Sequence, residues 1–346
     1  MPPDTAPANA SVAISDVTGI KELTLTQRLF ASQALWVTVA VLLIMGLMSL
    51  RYPDQYGTEE NFYNITRNFS FIGIMALGMT AVIITGGIDL SVGSVMGVVG
   101  IVVGLIMHAG KTSDSFLYSW YCAVPAGLAT GVLCGLFNGV LVTRVGLSPF
   151  VTTLGTLSIA RSAAVLLSQN KMIYEFGYSG QQFFDIFGGQ FIVANSVWLL
   201  IIMTIGFALV LNTTVWGRHL YAIGGNEHAA QLTGVPVVRV KMQAYIFCSL
   251  CAAVAAIMLL GWQGSAINAL GTGYELRVIA STVIGGTNLL GGEGGAFGAF
   301  VGAALIEVIR NGLILAGVDS NYQGIFVGGF IILAVLLERV RGRKRE

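Results

Sequence analysis

Charged residues are scarce. Asp, Glu, Lys and Arg make up 10% of the 346 residues, where a soluble globular chain carries about 25%. Hydrophobic residues make up 55% and the mean hydropathy is +0.79. Such a chain belongs in a bilayer, so its length sets a number of spans rather than the size of a globular core. A net charge of +1 leaves no basic footprint for nucleic acid. Cysteine is rare as well. Cys122, Cys134, Cys248 and Cys251 all lie in apolar runs. Cys248-x-x-Cys251 has the spacing of a redox or zinc pair, yet Phe, Leu and Ala surround it, and small buried hydrophobes explain it better. His108, His219 and His228 are scattered, so no metal site is expected.

Catalytic patterns are missing too. There is no His-Glu-x-x-His and no Gly-x-Ser-x-Gly. Gly110-Lys111-Thr112 ends like a phosphate-binding loop, but position 105 is Leu105 where that motif needs glycine. No catalytic residue and no cofactor are expected on this chain.

Long apolar runs and 45 glycines are what it does have. Small residues let helix backbones approach closely in lipid. Residues 1–33 read as a flexible, polar tail. The run from Ala34 to Leu50 is too long for a signal h-region and has no small-residue cleavage site after it, so it reads as an uncleaved first span. Further spans read as 67–85, 90–108, 118–142, 149–168, 194–211, 240–261, 275–290, 294–316 and 321–338. The expected fold is an all-α, polytopic bundle of about ten spans, with a transmembrane domain over 34–339 and a basic tail over 340–346.

Two of those spans flank Thr85-Gly86-Gly87-Ile88-Asp89-Leu90-Ser91. A carboxylate near a bilayer centre costs about 2.5–3.5 kcal/mol on insertion scales, so it normally faces a polar cavity or a partner. The glycine pair can break the helix. Gly285-Gly286-Thr287-Asn288-Leu289 repeats the pattern Gly-Gly-x-(Asp/Asn)-Leu. Paired glycine interruptions in the two halves of a membrane protein point to a transport site, and the helices are expected to be broken or re-entrant there. Thr85, Asp89, Ser91 and Asn288 are the candidates for a substrate path or its gate. Asp89 could equally hold the break in shape by capping the next helix.

Charge sets the orientation. With the N-terminus inside, one face receives Lys21, Arg28, Arg144, Arg218, Arg239, Lys241 and the C-terminal cluster, and the other only Arg51, Arg67, Lys111, Lys171 and Arg277. By the positive-inside rule both termini are cytoplasmic. The substantial cytoplasmic loop is 212–239. In it, Asn226 suits a helix N-cap, Glu227 the first turn, and Gly234 the C′ position, with Pro236 beyond. This short capped helix reads as a rigid knob presented to a partner. Arg161, Glu307 and Arg310 fall inside spans. Glu307 and Arg310 are three apart and can pair on one helix, which makes them structural.

The blocks Ala81–Ser94, Asn138–Val142, Pro149–Gly155, Ala222–Gly234 and Val283–Ala299 together resemble the permease subunits of ribose-type sugar ABC importers, a branch of the branched-chain amino acid and sugar permease superfamily. The resemblance runs in order from about residue 33 to 340. It implies a multi-pass subunit of the bacterial inner membrane that forms the path for a monosaccharide, most readily a pentose such as ribose or xylose. Two permeases, identical or different, would pair. A separate ATPase holding ATP and Mg would bind inside, and a periplasmic binding protein would deliver the sugar. Gly225, Asn226, Glu227, Ala230 and Gly234 would belong to the coupling helix that docks on the ATPase. Two other readings stand beside it: an ion-coupled secondary transporter of a small polar solute, which the intramembrane carboxylates favour, and a passive channel or structural membrane subunit.

Overall fold

The computed structural model describes residues 32–112 and 115–319, with single positions out to 332. Twelve α-helices follow one another among these residues. They are α1 (Gln33–Arg51), α2 (Glu59–Ile84), α3 (Val92–Ala109), α4 (Trp120–Thr143), α5 (Pro149–Ser168), α6 (Gly180–Phe183), α7 (Asn195–Thr213), α8 (Val215–Gly225), α9 (Glu227–Leu232), α10 (Val237–Gln263), α11 (Tyr274–Ile284) and α12 (Ala296–Leu315). The only strands among the described residues form a two-residue hairpin, Gln190–Phe191 with Val193–Ala194. The fold is an all-α membrane bundle.

Eight helices among the described residues are long and apolar enough to cross a membrane: α1, α2, α3, α4, α5, α7, α10 and α12. The run expected at 275–290 is instead an 11-residue helix, α11, that ends at Ile284. At 1.5 Å per residue it covers about 16 Å, roughly half of a hydrocarbon core. Most of the span expected at 321–338, and both terminal tails, lie outside the described residues.

Burial sorts the helices. α2 and α10 are apolar on nearly every side and bury most of their length in the centre of the bundle, packed on one another. A helix hydrophobic all round belongs in such a position. α4 packs along α10 through glycine: Gly131 and Gly139 face Ser249, Ala253 and Met242. α1 stands at the periphery and buries only Val37 and Val41. Exposed apolar side chains such as Leu42, Leu133, Ile159, Leu166 and Ile202 line the outer helix faces, as contact with lipid requires. The Glu307 carboxylate, buried within α12, takes a two-pronged ion pair from Arg310 one turn away, with Nε donating to Oε2 at 2.8 Å.

Candidate functional site

Each glycine pair ends a helix in the same way. At the end of α2, the Gly87 N–H donates to Val82 O at 3.1 Å and the Gly86 N–H to Ile83 O at 2.8 Å. At the end of α11, Thr287 N–H donates to Thr282 O at 3.0 Å and Gly286 N–H to Val283 O at 2.9 Å. This is the Schellman pattern, which needs a left-handed residue at its turn. Gly86 (φ +76°) and Gly286 (φ +102°) supply it.

Past each turn a side-chain oxygen closes a second loop. Asp89 Oδ1 accepts from Ser91 N–H at 2.9 Å, and Asn288 Oδ1 accepts from Leu290 N–H at 2.8 Å. Both are Asx turns, in which a short polar side chain imitates a backbone carbonyl. Asp89 therefore folds the break itself, rather than capping α3, whose N-cap residue is Ser91.

A buried polar network backs the first break. The Ser91 hydroxyl donates to Asp89 Oδ1 at 2.6 Å. Asn138 Nδ2, from α4, donates to Ser91 Oγ at 2.9 Å, and the Thr156 hydroxyl, from α5, donates to Asn138 Oδ1 at 2.5 Å. Asp89, Ser91 and Asn138 have no solvent exposure. Buried polar groups need such partners, because an unmade hydrogen bond there costs about 1–3 kcal/mol. Among the described residues, the buried atoms without one include Asp89 Oδ2 and the Tyr245 hydroxyl of α10, which stands against Gly87. Thr85 is buried and turns its hydroxyl back onto Val82 O at 2.8 Å. Asn288 is part-exposed, and its own N–H donates to Glu293 O at 3.0 Å.

The two breaks meet. Gly292 N–H donates to Ile84 O at 2.9 Å, joining the segment after α11 to the end of α2. Gly224, near the end of α8, fits against both of those residues so closely that a Cβ there would collide with Ile84 O and Gly292 N. The Tyr221 hydroxyl, one turn back on α8, donates to Gly294 O at 2.9 Å. Three of the four sequence candidates thus lie in or beside buried structure at the first break, Asn288 lies in the second, and α8 clasps the two together.

α8 then leads into α9. Asn226 Oδ1 accepts from Ala229 N–H at 2.9 Å, capping it. Gly234 (φ +85°) ends it with a third Schellman turn, its N–H donating to Gln231 O at 3.1 Å and Val235 N–H to Ala230 O at 3.0 Å. Glu227 pairs with Lys241 of α10 at 2.8 Å. Ala230 is buried, whereas Gly225, Asn226, Glu227 and Gly234 are exposed. Beside α9, a hollow of about 560 Å³ is lined by Arg144, Gln231, Val235, Pro236, Arg239 and Met242 among others. Sequence reading missed α8. Its signal was the spacing of Trp216, Leu220 and Ile223, one apolar face at 3.6 residues per turn. It also missed Asn138, Thr156 and Tyr245 as partners of the break. An Asn in the apolar run of α4 was the visible sign.

Residues 61–335 match the family described as branched-chain amino acid transport system / permease component. The chain is 36% identical to the ribose import permease protein RbsC of Escherichia coli (strain K12) over 302 residues, 87% of this chain and 92% of that one. It is 37% identical to RbsC of Bacillus subtilis (strain 168) over 310 residues, 89% and 93% of the two chains. This chain belongs to the permease family. The L-arabinose ABC transporter permease protein AraH of Azospirillum brasilense is 30% identical to the permease over 90% of its length and 88% of AraH. No solved structure matches the permease. The permease is a membrane-embedded transport component rather than an enzyme, in agreement with the absence of a catalytic pattern from its sequence.

Proposed function

We propose that the permease is the membrane subunit of a sugar ABC importer and forms the translocation path for a monosaccharide, ribose or a related pentose first among them. The observation that carries this reading is the junction of Ile84, Gly224 and Gly292. It ties both helix breaks to α8, and through α8 to the capped, exposed α9. A push on α9 from a partner would reach both breaks through backbone contacts, with no long side chain to absorb it.

In this reading α9 is the coupling helix. Gly225, Asn226, Glu227, Ala230 and Gly234 shape it for a groove on an ATPase that binds ATP and Mg. Two permeases, of one kind or two, enclose the path, and a periplasmic binding protein loads it from outside. The α9 face and both termini are cytoplasmic in a bacterial inner membrane. Arg144, Arg218, Arg239 and Lys241 collect on that face, which supports the orientation. The permease domain covers 34–339, with the coupling loop at 212–239. Thr85, Asp89, Ser91 and Asn288 shape the gate at the inner end of the path: the part-exposed Asn288 is the one a sugar can meet, and the buried Thr85, Asp89 and Ser91 hold the first break behind it.

Reconstitution tests this. The permease with its ATPase in vesicles, supplied with loaded binding protein, is expected to accumulate sugar only with ATP. Uphill uptake by the permease alone, without nucleotide, would overturn the reading in favour of ion coupling. Asp89→Ala tests the path assignment: a normal uptake rate at normal protein level would remove Asp89 from it.

A further inference from the structure

Between α10 and α11 the chain is not helical, and one side of it packs into the bundle. It re-enters the bundle from the end opposite α9. Ala266 pairs with Ile173 there, N–H to carbonyl in both directions at 2.8 and 2.9 Å. The segment then descends along α3 in a groove made of Gly93, Gly97, Gly100 and Gly104, which are spaced to share one helix face. A Cβ at Gly104 would lie 2.7 Å from the Ala266 methyl, one at Gly100 3.0 Å from Leu270 Cδ2, and one at Gly97 2.9 Å from Leu270 O. At Gly93 it would collide with Gly271 O and Glu275 Oε2. From Gly104 to Gly93 is about 16 Å of helix axis, and the segment follows it through consecutive turns, with Leu270 N–H donating to Ile267 O at 3.1 Å and Thr272 N–H to Ala269 O at 3.2 Å. Non-helical backbone thus travels down most of a transmembrane helix before α11 begins.

One side of this segment is packed on α3, as Leu270 and Gly271 are buried. The other side is open: Ala269, Thr272 and Leu276 are exposed. Irregular backbone is tolerated at membrane depth only against protein or water, never against lipid. Two charged side chains stand at the same place. Arg161, in the middle of α5, donates from Nη1 to Asn268 O at 3.2 Å and to Leu270 O at 3.0 Å. Glu275, in the first turn of α11, has Oε2 buried and without a hydrogen-bond partner. Arg161 and Glu275 make no direct ion pair within 4.0 Å. An intramembrane carboxylate facing polar backbone is a functional site by default.

We infer that this face lines the translocation path, with the Glu275 carboxylate accepting hydrogen bonds from sugar hydroxyls and Arg161 holding the carbonyl-rich segment open beside it. The inference rests on the sugar-importer reading but assigns the path to residues away from the glycine-pair turns. A neutral polyhydroxylated solute suits the site. It can donate to Oε1, the carboxylate oxygen on the side away from Gly93, without having to neutralise the group, while Oε2 stays buried against α3.

Two measurements on the assembled transporter decide it. In a background with Cys122 and Cys134 replaced by Ser, Thr272→Cys is expected to react with a membrane-impermeant maleimide. The rate should change at least threefold between the nucleotide-free state and a state held by an ATP analogue. Ile202→Cys, on the apolar outer face of α7, is the unreactive control. In vesicles at saturating loaded binding protein, Glu275→Gln is expected to lower sugar uptake about tenfold, the loss of one charge-assisted hydrogen bond. It should leave stimulated ATP hydrolysis in place, and Glu275→Asp should recover part of the uptake. Protection of Thr272→Cys in both states, or normal uptake by Glu275→Gln, would overturn the inference. Should Glu275→Gln fail to accumulate in the membrane, the labelling result stands as the decision. A wild-type complex that moves no sugar would sink the importer reading instead, whatever Thr272→Cys does.

Discussion

At the first glycine-pair turn the Asx acceptor is a fully buried carboxylate, held by Ser91 and, through it, by Asn138 and Thr156 from two other helices. At the second it is a part-exposed amide that meets only backbone, and Leu290 beside it is 87% exposed. The local code is the same, a Schellman turn followed by an Asx turn. The spacing differs by one residue. Asp89 lies three positions after its left-handed glycine, Gly86, and Asn288 two after Gly286. Aligning the two sequences on Asp and Asn therefore slips the helix ends by one. The first turn joins two full spans, and the second follows the half-span α11. One is anchored by side chains from elsewhere in the bundle. The other has no buried side-chain network: a main-chain bond ties it to α2, and the Tyr221 hydroxyl of α8 and the Gln33 amide of α1 donate to carbonyls around it.

The largest expected effect is at the junction both turns share. Gly224→Val would drive a branched side chain into Ile84 and Gly292, and should abolish recovery of monodisperse protein from membranes. The neighbouring Gly225→Val meets open space and should leave the yield unchanged. Next is the anchored turn. Asp89→Leu strands the Ser91 N–H and hydroxyl in a buried site and should lower stability by about 1–3 kcal/mol in thermal unfolding of the detergent-solubilised protein. Asp89→Asn keeps the Asx acceptor and should lose less than half of that. Asn288→Ala at the part-exposed turn should cost about 0.5–1 kcal/mol. If Asn288→Ala proved as damaging as Asp89→Leu, the contrast between an anchored and a loose turn would be wrong.

Smaller still is Glu227→Ala. Its pair with Lys241 is exposed on the Glu227 side, and a pair open to water is worth about 0.2–1 kcal/mol. Stability should hardly change, while co-purification with the ATPase should fall if α9 is the docking element.

The smallest effect belongs to the Lys111–Glu175 ion pair at the face opposite α9. The lysine holds the Glu175 carboxyl below its ordinary range, and the carboxylate raises Lys111. The depressed acid contributes stability at pH values above its unfolded pKa and loses it as pH falls through the folded one. The raised base contributes below the ordinary lysine range and loses it as pH climbs through the raised value. Thermal melts of Lys111→Ala against wild type should differ slightly near pH 7 and converge at about pH 3, below the carboxylate range. Added salt should shrink the difference, since both side chains are exposed.

The primary structure was enough for much that depends on short range, though α8 was missed. Apolar run length located eight of the ten expected spans, because bilayer thickness is a fixed ruler, but it overran the glycine turn at 275–290, where the helix ends at Ile284. Asn226, Gly234 and the two glycine pairs marked helix ends because caps and left-handed turns are set within five or six residues. It could not show that Asn138 and Thr156 brace Asp89, that α8 clasps two breaks some 200 positions apart in the chain, or that residues 264–273 dive along the glycine face of α3. Those contacts depend on which helices become neighbours, and packing of the whole bundle decides that. A glycine column such as Gly93, Gly97, Gly100 and Gly104 announces a groove; only the folded chain says what fills it.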